Sequence, residues 1–278
     1  MPGRKLSPVL KWAGGKTQLL EHIAENMPPR YNRYFEPFVG GGAVLFGLSP
    51  ARASVNDRNA PLMNLYAQLK GSVESVIERV RALDAVPMNK DAYYAARDRY
   101  NAKLSARELD AECAALLIWI NKRCYNGLYR VNRKGRFNVP YNHAKTNPKS
   151  IDESNLRAIS AYFRKADVTM TCLDFERACD GVSAGDLVYF DSPYVPESDT
   201  ASFTDYTMDG FSRDDHERLA ALFRRLDRLG AKVMLSNNDV PPVRALYAGY
   251  RIQSLEVRRM INCHGNKRTG REVLILNY

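Results

Sequence analysis

The stretch FEPFVGGGAVLFGL, Phe35 to Leu48, decides how the chain is to be read. An apolar, aromatic run breaks at three successive glycines and resumes with apolar residues at helical spacing, which spells strand, tight turn, helix. Glycines let the backbone turn sharply and approach a ligand with no Cβ in the way, and the following helix turns its free N–H groups toward the same space. Such a unit opens an α/β nucleotide-binding fold. The dinucleotide fingerprint is not met, because Gly40 and Gly42 fit its first two glycine positions but Leu45 stands at the third. A plain structural turn is the alternative.

Working outward, ASVND (Ala53 to Asp57) is a second short strand that ends in a carboxylate. An acid there commonly accepts hydrogen bonds from ribose hydroxyls; the competing reading of Asp57 is a helix N-cap beside Asn59 and Pro61. Upstream, KTQLLEHIAEN (Lys16 to Asn26) carries helical spacing after a Gly-Gly pair. Between about residues 60 and 120 the pattern is helical and strandless, ending in the apolar ECAALLIWI. YNGLYRVNRKGRFNVPY (Tyr125 to Tyr141) then alternates on both sides of Lys134-Gly135, a hairpin signature that carries Arg130, Arg133, Lys134 and Arg136. After Pro148, strand and helix patterns alternate again: ADVTMTCL, DLVYF, a helix from about Arg213 to Leu229, AKVMLSN, and closing strands near 250–257 and 272–278. There is no internal repeat. The α/β pattern is interrupted once, so residues 1–59 and 146–278 are expected to form one domain, and 60–145 an inserted recognition module with its hairpin near 125–140.

A chain of 278 residues can bury a full core and suits one large domain or a domain with a substantial insertion. No apolar run approaches the roughly 18–20 residues of a membrane span, and MPGRKLSPVLKW lacks the apolar core of a secretory signal. The expected place is the cytoplasm, with no membrane partner. Five cysteines without paired spacing fit a reducing compartment and no metal site, and His22, His143, His216 and His264 are scattered without ligand spacing. The formal charge of +10 points to a polyanionic partner, and its distribution sharpens the point. Neither Cys113–Ile151 nor Val257–Arg271 contains an acid, and together they hold 13 of the 41 Lys and Arg residues.

In DLVYFDSPYVPES (Asp186 to Ser198) an apolar strand runs into Asp191-Ser192-Pro193-Tyr194. Asp and Ser before Pro are also ordinary turn chemistry. The chemical reading is more specific. The amino group of a nucleobase is a poor nucleophile because its lone pair is delocalised into the ring. A carboxylate and a backbone carbonyl that accept its N–H bonds favour the tetrahedral form that attacks a sulfonium methyl. A tyrosine ring beside them offers a stacking surface for a base turned out of its duplex.

With these blocks in view, the chain resembles the Dam-type DNA adenine N6-methyltransferases of the D12 class, alpha group. The resemblance rests on LKWAGGK (Leu10 to Lys16), FEPFVGGGAV (Phe35 to Val44), VNDRN (Val55 to Asn59), RCYNGLYRVNRKGRFNVPY (Arg123 to Tyr141), DLVYFDSPY (Asp186 to Tyr194), FTDYTMDGF (Phe203 to Phe211) and LSNND (Leu235 to Asp239), in family order along nearly the whole chain. It implies an α/β fold: a Rossmann-like sheet that binds S-adenosylmethionine, with an inserted, mainly helical DNA-recognition domain carrying a β-hairpin. It implies cofactor contacts from Trp12, Lys16, the Glu36-Pro37-Phe38 segment with Gly40 and Gly42, Asp57 and Asp191. Catalysis falls to Asp191, Ser192, Pro193 and Tyr194. Lys11, Tyr125, Asn126, Leu128, Arg130, Asn138 and Pro140 match residues that contact DNA. The expected partner is double-stranded DNA, the target adenine in GATC, the protein a monomer, and its setting a bacterial or phage nucleoid.

One position departs from the family pattern: Ser192 stands where proline is usual. The atom required from it is the main-chain carbonyl, and Pro193 still steers residue 192 toward extended backbone, so an active enzyme is expected. Residues 195–211, with Phe203, Tyr206 and Gly210, read as a long loop that acts as a lid. Two other classes compete: a DNA-binding protein that has lost catalysis through Ser192, and an RNA-modifying enzyme that reads single strands or loops.

Overall fold

The computed structural model describes residues 6–143, 149–195, 211–258 and 269–278. In chain order its helices are α1 (Leu20–Glu25), α2 (Ala43–Leu48), α3 (Ala60–Gly71), α4 (Val73–Asp84), α5 (Lys90–Ala106), α6 (Ala111–Arg123), α7 (Glu153–Lys165), α8 (Arg213–Arg228) and α9 (Pro241–Leu246). The strands are β1 (Tyr34–Glu36), β2 (Arg52–Asn56), β3 (Asp167–Thr171), β4 (Leu187–Asp191), β5 (Lys232–Asn238), β6 (Arg251–Arg258) and β7 (Thr269–Leu276). They form a seven-stranded sheet in the order β3-β2-β1-β4-β5-β7-β6. The chain divides into two compact units, one comprising Met1–Gly15, Val39–Ala51 and Asp57–Cys172, the other Lys16–Phe38, Arg52–Asn56 and Leu173–Tyr278.

The second unit holds the strands that carry the DSPY turn. β1 runs parallel to β2 and β4, and β4 parallel to β5, whereas β7 is antiparallel to both β5 and β6. Because the chain goes from β1 to β2 on one side and returns to β4 on the other, the carboxyl ends of β1 and β4 bracket a topological switch point, where open α/β sheets bind their ligands. Glu36 ends one of these strands and Asp191 the other. All but the last residue of β4 are buried, which explains its unbroken apolar reading. Val188, Phe190, Val233, Leu235, Val273 and Ile275 pack with Leu219, Leu222, Phe223 and Leu226 of α8 in the core. α8 starts in a capping box, with Ser212 accepting from the Asp215 N–H and Asp215 accepting from the Ser212 N–H.

In the first unit α6 is apolar on nearly every side and lies among α3, α4 and α5, as a helix without a polar face must. Asp110 caps its start by accepting from the Cys113 N–H. α7, between the hairpin segment and β3, was not singled out in the sequence; Asp152 caps it by accepting from the Asn155 N–H. Where a single helix was expected over Lys16–Asn26, a short 3-10 turn at Lys16–Gln18 precedes α1. No helix among the described residues is long and apolar enough to cross a membrane.

Candidate active site

At the carboxyl end of β4, Asp191 lies opposite Ser236 of β5, and its side chain is one-fifth exposed. Lys16, buried at the start of the 3-10 turn, places Nζ 2.5 Å from Asp191 Oδ1 and 4.8 Å from the centre of the Tyr194 ring. The Ser236 hydroxyl donates to the same carboxylate oxygen at 3.3 Å, and Tyr189 Oη lies 2.9 Å from Ser236 Oγ. Burial pushes the Asp191 carboxyl above the usual carboxylate range; Lys16 and the Ser236 hydroxyl oppose that shift, and the charge of Glu272 adds to it. The result is a largely buried acceptor with a strong cationic partner. Ser192 is buried, Pro193 exposed, and the Tyr194 side chain open to solvent.

The end of β1 is built for support. Glu36 is buried and accepts the Tyr34 hydroxyl at 2.9 Å. Asn56 donates to the carbonyls of Pro37 and Leu173 and accepts the Leu173 N–H, which ties the ends of β1 and β2 to the segment after β3. Phe38 packs in a cluster with Phe175, Phe190 and Phe211.

In the first unit the glycine turn meets Trp12 and Asp57. Asp57 Oδ2 accepts the Gly40 N–H at 3.0 Å and Oδ1 the Asn59 N–H at 2.9 Å. The N-cap of α3 is Asn59, which accepts from the Leu62 N–H, so Asp57 is free of that duty. Burial raises the Asp57 carboxyl, against the two backbone hydrogen bonds that lower it. A Cβ on Gly40 would come within 3.0 Å of the Trp12 ring, and one on Gly42 within 2.7 Å of Phe46. Both glycines have positive φ, of 47° and 73°. The glycines thus let the turn pack closely against Trp12 and Phe46 while its backbone holds the Asp57 carboxylate.

The basic segment belongs to the same unit. Asn132 N–H donates to the Arg136 carbonyl and Asn138 N–H to the Arg130 carbonyl, and Val131 pairs with Phe137 and Cys124 with Tyr141 in antiparallel bridges. Arg130, Arg133, Lys134 and Arg136 are exposed, and Arg130 Nε donates to Asn138 Oδ1 at 2.8 Å. Tyr125 is 54% exposed, unusual for a large ring, and Asn126 has a φ of 55°. Pro140 accepts the Tyr125 N–H. Lys11 packs its stem against Gly127, where a Cβ would meet Lys11 Cδ at 2.5 Å. The fully buried Asn121 holds this arrangement: Oδ1 accepts the Lys11 N–H, and Nδ2 donates to the Lys11 and Gly127 carbonyls. Leu128 follows, half-buried.

Sequence reading assigned no role to Asn121, Ser236 or Asn237. Their signal was a polar residue inside an apolar run, Asn121 after LLIWI and Ser236-Asn237-Asn238 after KVML, since buried amides must be satisfied. Lys145, Phe203, Tyr206, Gly210, Arg259, Cys263, His264, Lys267 and Arg268 lie outside the described residues, and with them most of the second basic window and of the expected lid. Among the described residues no cluster of His, Cys, Asp or Glu is placed to hold a metal.

Residues 12–261 match the D12 class N6 adenine-specific DNA methyltransferase family. The chain is 44% identical to Type II methyltransferase M.MjaIII of Methanocaldococcus jannaschii over 99% of its own length and all of that protein. It is 41% identical to Type II methyltransferase M1.LlaDCHI of Lactococcus lactis subsp. cremoris, over 98% of this chain and 96% of the relative. With the DNA adenine methylase of Haemophilus influenzae it shares 31% identity over 99% of this chain and 94% of that one. An Asp-Ser-Pro-Tyr turn at a switch point and a match of this extent lead to one conclusion: the chain belongs to the D12 class of N6 adenine-specific DNA methyltransferases.

Proposed function

We propose that the protein methylates N6 of adenine in duplex DNA, within GATC, on a base turned out of the helix, by direct transfer from S-adenosylmethionine. The observation that carries this reading is the Asp191-Ser192-Pro193-Tyr194 turn at the carboxyl end of β4, with Lys16 against its carboxylate. When bound, S-adenosylmethionine supplies a methyl group on a cationic sulfur, which departs with the bonding electron pair. Asp191 and the Ser192 carbonyl accept the two N–H bonds of the target amine and leave its lone pair free to attack. The amine sheds one proton after transfer, and the raised Asp191 carboxyl is suited to receive it. Tyr194 stacks on the extruded base. Lys16 keeps the Asp191 charge compensated in its buried setting.

Trp12, Gly40, Gly42 and Asp57 are the groups assigned to the adenosine part of the cofactor, and Lys16, Asp191 and the Glu36-Pro37-Phe38 segment are further groups assigned to the cofactor. Lys11 and Arg130 suit bidentate or point contacts to guanine O6 and N7, and Tyr125 and Leu128 suit wedging into an unstacked step. Asn126, Asn138 and Pro140 complete the DNA face. The protein acts as a monomer in the cytoplasm.

Site and activity are tested together by incubating the protein with S-adenosylmethionine and two duplexes that differ only in one GATC, and measuring N6-methyladenine by mass spectrometry. Methylation of the GATC duplex alone is expected. Equal modification of both duplexes sinks the specificity, and preferential modification of single-stranded RNA sinks the substrate class.

A further inference from the structure

We infer that Asn237 is a positioning residue for methyl transfer, and that its bond to the Ser192 hydroxyl does for this turn what a proline ring at position 192 would do. The inference rests on the reading of Asp191-Ser192-Pro193-Tyr194 as the catalytic turn.

Asn237 is 2% exposed, one residue beyond Ser236 on β5. Its Oδ1 accepts the N–H of Val195 at 3.2 Å and its neighbour Asn238 N–H at 2.9 Å. Its Nδ2 donates to Ser192 Oγ at 3.1 Å and to the Pro193 carbonyl at 3.3 Å. Two backbone N–H groups converge on one amide atom, which must then be the oxygen, so the orientation of the amide is settled by its partners. Every hydrogen-bonding capacity of the side chain is filled, and three of the four partners belong to residues 192, 193 and 195. Asn238 adds a fourth tie to the turn, donating from Nδ2 to the Val195 carbonyl at 2.8 Å. The turn is thus held from the neighbouring strand at consecutive points.

The physical need is clear from the residue held. The carbonyl of Ser192 is one of the two acceptors for the target amine, and its direction depends on the φ and ψ of residue 192. Pro193 restricts ψ there, but serine leaves φ unlocked where proline would fix it near −65°. A buried hydroxyl clamped to a strand-borne amide removes that freedom by a side-chain bond. Misplacing a reacting group by about 1 Å costs on the order of 100-fold in rate, so a clamp of this kind acts on the transfer step and leaves ligand binding alone.

The test uses the full chain, unmethylated GATC duplex and S-adenosylmethionine, with single-turnover rates, KM for both substrates and thermal midpoints measured for each variant. Asn237→Asp keeps the acceptor for Val195 and Asn238 but loses both donors. It is expected to lower the single-turnover rate by about 30-fold or more, with each KM within about 3-fold of the parent. Ser192→Ala, which removes only the hydroxyl, is expected to lose about 3- to 10-fold. Adding Ser192→Pro to Asn237→Asp should recover about 10-fold, because the ring restores φ without the amide. Should Asn237→Asp fail to fold, Ser192→Ala carries the same question: a lower single-turnover rate with each KM unchanged supports the clamp, and the parental rate overturns it. An active parent whose Asn237→Asp variant is unimpaired, or whose loss lies wholly in KM and is not rescued by proline, overturns the inference alone. A parent that transfers no methyl group to adenine overturns the proposed function and the inference with it.

Discussion

Asp191 sits between burial, which disfavours its charge, and Lys16, which favours it, and burial prevails in setting the direction. In the proposed mechanism the carboxylate is an acceptor, so the rate constant for methyl transfer should fall with acid along a limb that lies above the ordinary carboxylate range. A single-turnover pH profile measures this, and a flat profile down to pH 4 would contradict it. His216 works on stability instead. It is buried against Phe211, and burial lowers it from 6.5 to about 4. The unfolded chain therefore binds a proton that the folded one refuses, and stability present above the unfolded value is lost as pH falls toward the folded one. The expected slope is up to about 1.4 kcal/mol per pH unit in that window. Denaturant midpoints should decline between pH 6.5 and 4, less so in His216→Leu.

At the scale of elements, the strand-turn-helix unit around the three glycines depends on bare backbone at Gly42. An alanine there combines positive φ with a Cβ 2.7 Å from the Phe46 ring and 3.1 Å from the Tyr66 hydroxyl. Gly42→Ala should lose about 2 kcal/mol or more in denaturant melts, and a loss below 0.5 would contradict the packing described. The elements that sequence made legible share a reason: β4, β5 and α8 carry a single clean periodicity, buried run or amphipathic face, bounded by caps or turns. α7 is not among the sequence-based expectations, although Leu156, Ile159 and Phe163 line one buried face at helical spacing. The glycine turn, Asp57 and the DSPY turn were visible as motifs. What was not visible is what holds them: Lys16 meets Asp191, and Asn237 meets Ser192, across long stretches of chain, and no local spacing encodes such a meeting.

For the molecule as a whole, the exposed cations Arg130, Arg133, Lys134 and Arg136 predict duplex binding governed by counterion release. Replacing Arg133 and Lys134 by alanine should flatten the slope of log K against log salt by about 2, and an unchanged slope would remove these residues from the interface. Charge, fold and family membership converge on adenine methylation, and the whole account depends on one carboxylate at the end of β4. Its most direct test is N6-methyladenine formation in an unmethylated GATC duplex by the parent protein and by Asp191→Ala, with cofactor and duplex both saturating. The account predicts rapid methylation by the parent and a loss of at least about 1000-fold in the variant. Methylation by Asp191→Ala at the parental rate would contradict it.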